Sequence, residues 1–268
     1  PYPTNDMSLE EMVEQAKKMT IREPNGKARQ FGLINGMSWQ QLGVLYGGQL
    51  WSKDGSKCNI NSEPFKKGIK FTKDIYDAYK IAPYPQESKD MGNREQFIGR
   101  RAAMYLGHSW EIATFKIQNR AAQKLNYGCV MAPVPKGGKR AYLAGGNILG
   151  VNAKSKNKEL AFELAKFMCQ PESIKFLIGM GDSVPIRPEG EEMEFLLNNP
   201  THPKDVAENI RKGMEYIIPH SSMYSSRVVP DQFDRVVTEE MDKYVLLSQD
   251  LDKTLKAMER GIAGAMQK

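Results

Sequence analysis

Leu9, Met12, Val13 and Ala16 recur three and four residues apart, so they fall on one face of a helix whose other face is polar. Ser8 stands before that face with Glu11 three residues on, the spacing of a capping box, and Met7 and Met12 are placed as a hydrophobic staple. Glu23-Pro24-Asn25-Gly26 is a turn, and QFGLI at 30–34 reads as a short strand that runs into the loop NGMSWQ. The helical period returns from Trp39 to Tyr46 and stops at Gly47-Gly48. Another helix follows with Pro64 in its first turn, its apolar face carrying Phe65, Ile69, Thr72, Ile75, Tyr76 and Tyr79. Phe97 and Ile98 belong to a short helix ended by Gly99. Ala102–Leu106 is the next strand, and Ser109 is placed to cap a helix that starts at Trp110.

Beyond that point the pattern shifts. YGCVMAPVPKGG (127–138) reads as a strand ending in a proline-braced turn, and AYLAGGNILGVN as a glycine-rich strand pair or a bulged strand. Lys154–Met168 is amphipathic and helical, and Gln170-Pro171-Glu172 restarts a helix that ends near Gly181. Three more helical stretches occupy 203–217, 230–246 and 250–266, with the loop HSSMYSSRVVP before the second. Single strands alternate with helices to about residue 155 and helices dominate afterwards, the order of an α/β chain with a helical tail.

Composition narrows the function classes. The 268 residues carry a net charge of +6, but lysines alternate with acids along helix faces, and the densest basic spot, GGKR at 137–140, is too short for a nucleic-acid stripe. No run approaches the roughly 18 to 20 apolar residues of a membrane span. The N-terminus PYPTNDMSLE has neither a basic nor an apolar signal region and no initiator Met, so the chain is expected to be a piece of a longer polypeptide. Cys58, Cys129 and Cys169 stand far apart without a CxxC or a neighbouring His, which offers no metal set and reads as two or three buried apolar thiols. No cofactor motif is present, neither GxGxxG nor GxxxxGK. GxSxG and HExxH are also missing, and the adjacent acids Glu191-Glu192 and Glu239-Glu240 point to different sides of their helices.

The order of motifs is more specific than any one of them. MSLEEMVEQAKKMT, NGKARQFG, a Trp and a Gly-Gly, FIGRRAAMYLGHSW, YGCVMAPVPKGG, AGGNILGVNAKSKNKELAFELAKFM and a late Val-Pro resemble, in sequence, the extracellular solute-binding proteins of ABC importers. The closest branch is the sugar-binding group that includes maltose-binding protein. The resemblance implies a periplasmic-binding-protein type II-like α/β lobe with additional C-terminal helices. It starts partway into the family pattern, past a signal sequence and a first lobe. On that reading residues 1–200 are the second lobe, 201–234 a helix and loop belonging to or contacting the first lobe, and 235–268 the C-terminal helices. The implied function is non-catalytic capture of a sugar between two lobes outside the cytoplasm, in a periplasm or lipid-anchored at the membrane face. Hinge closure would present the sugar to ABC permease subunits. The complete protein is expected to be monomeric and to need no cofactor, metal or nucleic acid. Two other readings stay open: the same fold with a non-sugar solute such as a phosphorylated polyol or an amino compound, and a carbohydrate-active enzyme, which would need two carboxylates across a cleft.

The resemblance also implies site residues. Trp110 follows the end of a strand, where open α/β sheets place their clefts, and the family's Trp at this point stacks on a sugar ring; the alternative is a core anchor. His108 stands where the family more often has Gly, either a surface loop residue or a donor to a sugar hydroxyl or charged substituent. Asn35, Ser38 and Trp39 lie in a loop that contacts ligand in the family, unless Trp39 packs under its own helix. Gly145, Gly146 and Asn147 let backbone approach a ligand or form an ordinary bulge. Arg227 sits in the loop that reaches the pocket from the other lobe, to pair with a ligand acid or hydroxyl or to remain a solvated surface charge.

Overall fold

The computed structural model describes residues 2–35, 37–88, 91–111, 114–115, 125–144, 149–180, 185, 189–200, 203–219 and 230–266. They divide into two compact units, the first formed by Pro1–Gly107, Ala132–Ala144 and Ile217–Lys268, the second by His108–Met131 and Gly145–Tyr216.

The first unit is built on β2 (Ala28–Asn35), which pairs antiparallel with β1 (Ile21–Arg22) and parallel with β3 (Ala102–Leu106). Phe31, Leu33 and Ile34 of β2 are all buried, so this strand is covered on both faces, the condition of a strand in a parallel pair. Helix α1 (Leu9–Met19) lies against it. Its capping box is complete: Ser8 N–H donates to Glu11 Oε2 at 2.8 Å, and Glu11 N–H donates to Ser8 Oγ at 3.2 Å. Leu9, Met12, Val13 and Ala16 form its buried face, as their spacing predicts. The approach of helix to strand depends on Gly32, because a Cβ there would lie 1.9 Å from the Ala16 carbonyl oxygen. Thr20 fills the adjoining space, its hydroxyl donating to that same carbonyl at 2.9 Å and accepting Gly32 N–H at 3.0 Å.

Helices α2 (Trp39–Leu45) and α3 (Glu63–Asp74) follow, with a short α4 (Asn93–Ile98) leading into β3. Leu33, Leu42, Phe71, Ile75, Ile81 and Leu106 join the α1 face in one core cluster. The other cluster of this unit joins the start of α2 and α3 to the two last helices, α9 (Pro230–Leu246) and α10 (Leu251–Met266), through Trp39, Phe65, Phe233, Leu255, Met258 and Ile262. Strand β4 (Tyr142–Ala144) pairs parallel with β5 (Ile217–Pro219), and the Gln41 side chain serves its other edge, donating to Ala141 O and accepting Leu143 N–H, both at 2.7 Å.

The second unit contains α5 (Lys158–Met168), α6 (Pro171–Met180), α7 (Glu191–Leu197) and α8 (Lys204–Met214). Ile178, Met193, Leu196 and Ala207 form its small core. None of the residues of α5 is buried.

Two expectations are corrected. Residues 127–138 form no ladder: Pro133 and Pro135 cannot donate, and the only pairing there is an isolated bridge from Val134 to Ser8. Side chains hold the segment instead, with Arg140 donating to the carbonyls of Ala132 at 2.9 Å and Asn5 at 2.6 Å. Where a helix was expected to start at Trp110, Ser109–Glu111 form a 3₁₀ turn, and Thr114 and Phe115 are helical. Helix α8 shares the core of α6 and α7, while α9 and α10 share that of Trp39 and Phe65. Phe233, fully buried between Trp39 and Trp51, ties the last helices to the front of the chain. Phe233→Ala is therefore expected to cost about 3–5 kcal/mol by cavity formation, read as a lower midpoint in urea unfolding with an unchanged m-value.

Candidate functional site

Strands β2 and β3 run parallel in a register that pairs Asn35 with Leu106, so both end at the same edge of the sheet. From β3 the chain turns at the exposed Gly107 and enters His108-Ser109-Trp110-Glu111. The turn is closed from both ends: His108 N–H donates to Glu111 Oε2 at 2.9 Å, and Glu111 N–H donates to His108 O at 3.2 Å. Glu111 is 5% exposed, whereas Trp110 in the same turn is 54% exposed. The imidazole of His108 lies flat on the indole of Trp110, with ring centroids 4.0 Å apart and planes 9° from parallel. One indole face is thus covered by a polar ring.

A half-exposed indole on a closed turn can offer an apolar plate beside hydrogen-bonding groups. That combination suits a ring with one C–H face and a rim of hydroxyls.

The other residues expected from sequence separate into three groups. Trp39 is 8% exposed and packs in the core, edge-on to Phe65 at 6.0 Å and stacked with Phe233 at 6.4 Å; an indole so enclosed presents no open face to a ligand, and its reading as a helix-packing residue describes its position. Ser38 is the N-cap of α2, its hydroxyl accepting Gln41 N–H at 3.1 Å. Asn35 ends β2, and its side chain lies outside the described residues, as do Gly145, Gly146, Asn147 and Arg227. His108 and Trp110 are the pair that the fold brings together.

Glu111 was not among the expected site residues. The signal for it is modest: an acid three residues after His108 has capping-box spacing once His108, not Ser109, is taken as the residue before the turn. Away from this turn a groove of about 640 Å³ runs along Lys175, Gly179, Glu191, Phe195 and Asn199, with the Lys175–Glu191 pair at 2.8 Å on its rim. It holds none of the expected residues. Among the described residues no group of three or more His, Cys, Asp or Glu could hold a metal, and no helix is long and apolar enough to cross a membrane.

A family model described as "Bacterial extracellular solute-binding protein" matches residues 7–175, well over half of the chain. The diacetylchitobiose binding protein DasA of Streptomyces coelicolor is 30% identical over 138 residues, which is 50% of this chain and 32% of that protein. Among solved structures, the ABC substrate-binding protein Lmo0181 of Listeria monocytogenes, in complex with cycloalternan, superposes with a TM-score of 0.81 at 19% identity. The match covers 100% of this chain and 66% of that one. The maltose/maltodextrin-binding domain MalE of Bdellovibrio bacteriovorus, bound to maltotriose, gives a TM-score of 0.75 at 20% identity over 100% of this chain and 68% of that one. The chain therefore spans about a third of the curated relative and about two-thirds of the solved structures it matches, and its fold is that of the type II periplasmic binding proteins.

Burial pushes the thiols of Cys58 and Cys129 up to about 11, with Asp205 adding to the effect at Cys129. The Cys129 backbone is fastened to α8, its N–H donating to Asp205 at 3.0 Å and its carbonyl accepting from Asn209 at 2.6 Å. Cys169 is exposed. The thiolate is the nucleophile, so a raised pKa leaves less of it near neutral pH. Iodoacetamide at pH 8 is expected to modify Cys169 first in the folded chain, with Cys58 and Cys129 slower by about a hundredfold and all three equal in urea, as mapped by peptide mass spectrometry.

Proposed function

Because the chain belongs to the bacterial extracellular solute-binding protein family, we propose that it is part of an extracytoplasmic receptor that captures a carbohydrate and delivers it to an ABC permease. Membership places the protein outside the cytoplasm; residence in a periplasm, or attachment by a lipid at the outer face of the cell membrane, belongs to the proposal. The observation that carries the sugar reading is Trp110: a large aromatic ring kept 54% exposed on a turn closed by a buried carboxylate. Exposing an indole forfeits burial worth about 2–3 kcal/mol, so a folded chain that keeps one on a fixed turn has a use for its face. The sugar-bearing relatives support the ligand class. Those proteins are complexes with cycloalternan and with maltotriose, and a diacetylchitobiose binding protein.

A second reading, an anionic solute such as a phosphorylated polyol, is supported by His108, whose imidazole lies within 4.0 Å of the same platform. Turnover of the ligand is not part of either reading, since the family is one of solute-binding proteins.

We read the second unit as part of a larger lobe. Apolar residues wrap well over half of α5, and Leu160, Phe162, Leu164 and Phe167 are each more than half exposed, with Phe176 of α6 at 67%. A helix apolar over so wide an arc is ordinarily covered on more than one side, as in the helix layer of an α/β sheet.

Two measurements test these readings. Calorimetric titration of the full-length protein against a panel of neutral and phosphorylated oligosaccharides is expected to give saturable heat with at least one neutral sugar, with Trp110→Ala weakening it by at least about tenfold. No heat with any sugar, together with no loss in Trp110→Ala, would sink the carbohydrate reading. Size-exclusion chromatography of the 268-residue polypeptide is expected to show self-association that the double substitution Phe162→Ser, Phe167→Ser reduces, with unfolding free energy changed by no more than about 0.5 kcal/mol.

A further inference from the structure

The exposed indole at 110 is held more firmly than an exposed side chain needs to be. Its backbone is closed on both sides by the reciprocal bonds of His108 and Glu111, at 2.9 and 3.2 Å. The acceptor is a carboxylate with 5% exposure, so little water competes for the bond. The ring itself lies against the His108 imidazole at 4.0 Å and 9°, a full face-to-face contact. Both of these rings are exposed, so their contact does little for the core. What it does is restrict the indole to one rotamer and leave it one open face.

We propose that His108 and Glu111 are positioning residues for Trp110: the carboxylate fixes the turn, and the imidazole props the indole so that ligand is received only on the opposite face. The inference rests on the carbohydrate reading for its consequence, but its geometry stands without it. Ordering a rotamer-rich aromatic side chain at the moment of binding costs affinity, and a ring already fixed avoids that cost. A ring with one face closed also admits one sugar, not a sandwich of two. Together these make His108 the residue that turns a free aromatic into a one-sided plate.

The test uses the full-length protein and two readouts. Acrylamide quenching of tryptophan fluorescence, taken as the difference between the unaltered protein and Trp110→Phe, reports Trp110; the other tryptophans of this chain, Trp39 and Trp51, are 8% and 4% exposed. Calorimetry with the tightest-binding sugar of the panel reports affinity. His108→Ala is expected to raise the Trp110 quenching constant by roughly twofold, as one accessible face becomes two, and to weaken the sugar by about threefold to tenfold. His108→Phe, which can stack but not donate, should restore both. Glu111→Ala should weaken binding and reduce the near-ultraviolet circular dichroism assigned to Trp110, while Glu111→Gln, whose amide oxygen can accept the same N–H, should retain most of each. Wild-type quenching and affinity in both His108→Ala and Glu111→Ala would overturn the proposal, as would failure of His108→Phe to rescue. If no sugar binds the unaltered protein, the carbohydrate reading fails and the quenching series alone decides the positioning role. Should Glu111→Ala lower the thermal midpoint broadly, the exposed His108 pair still decides it.

Discussion

Parallel pairing of β2 with β3 is the constraint from which the rest of the first unit follows. Parallel strands cannot be joined by a tight turn, so the chain between Asn35 and Ala102 must cross over one face of the sheet. It does so with α2, α3 and α4, and α3 brings Phe65 and Ile69 to the cluster that later receives Phe233 and Leu255. With α1 packed against β2 through the gap at Gly32, residues 31–34 of the strand have no face left for water. The register fixes where the strands end, and so where the turn after β3 departs. In open α/β sheets that carboxyl edge is where ligand groups collect.

The parts of this fold that were legible in the sequence are those decided within a few residues. The capping box at Ser8 and Glu11, the burial period of α1 and the stop after Tyr46, where Gly47 takes φ 87°, each need only local chemistry. The strand at Ala102–Leu106 was legible because both glycines around it and its apolar run agree. Residues 127–138 were not, because strand propensity at Cys129 and Val130 was overruled by prolines that cannot donate and by Arg140 and Asp205, which take the backbone bonds from afar. The burial of Trp39 was left open by the sequence, where packing under its own helix stood beside ligand contact. It is decided by Phe233, which reaches it from the opposite end of the chain.

The candidate site shows the same division. Trp110 could be singled out from its place after a strand and from the family resemblance, because both are properties of the local sequence and its order. Glu111 could not, because an acid in a first helical turn is ordinarily a solvated residue complementing the helix dipole. Its role depends on burial, which the one-dimensional pattern does not encode. The prop from His108 depends on two rings meeting face to face, a fact of χ angles.

Exposed apolar surface occurs here in two forms, and the difference between them bears on what each is for. Along α5 it is broad, continuous over much of the helix, and formed by side chains that no hydrogen bond or polar ring holds in place, the character of a packing surface. At Trp110 it is a single ring, on a turn closed by reciprocal backbone bonds, with a polar ring against one side and a carboxylate buried beneath. The usual rule places apolar groups inside and ionisable groups outside, and within His108–Glu111 both are inverted over four residues. Burying a carboxylate is costly unless it is hydrogen-bonded, and the bond it makes here orders the segment that exposes the indole. The two inversions therefore belong to one arrangement: the buried charge holds the turn so that the apolar ring can stay in water, in one orientation, with one face free.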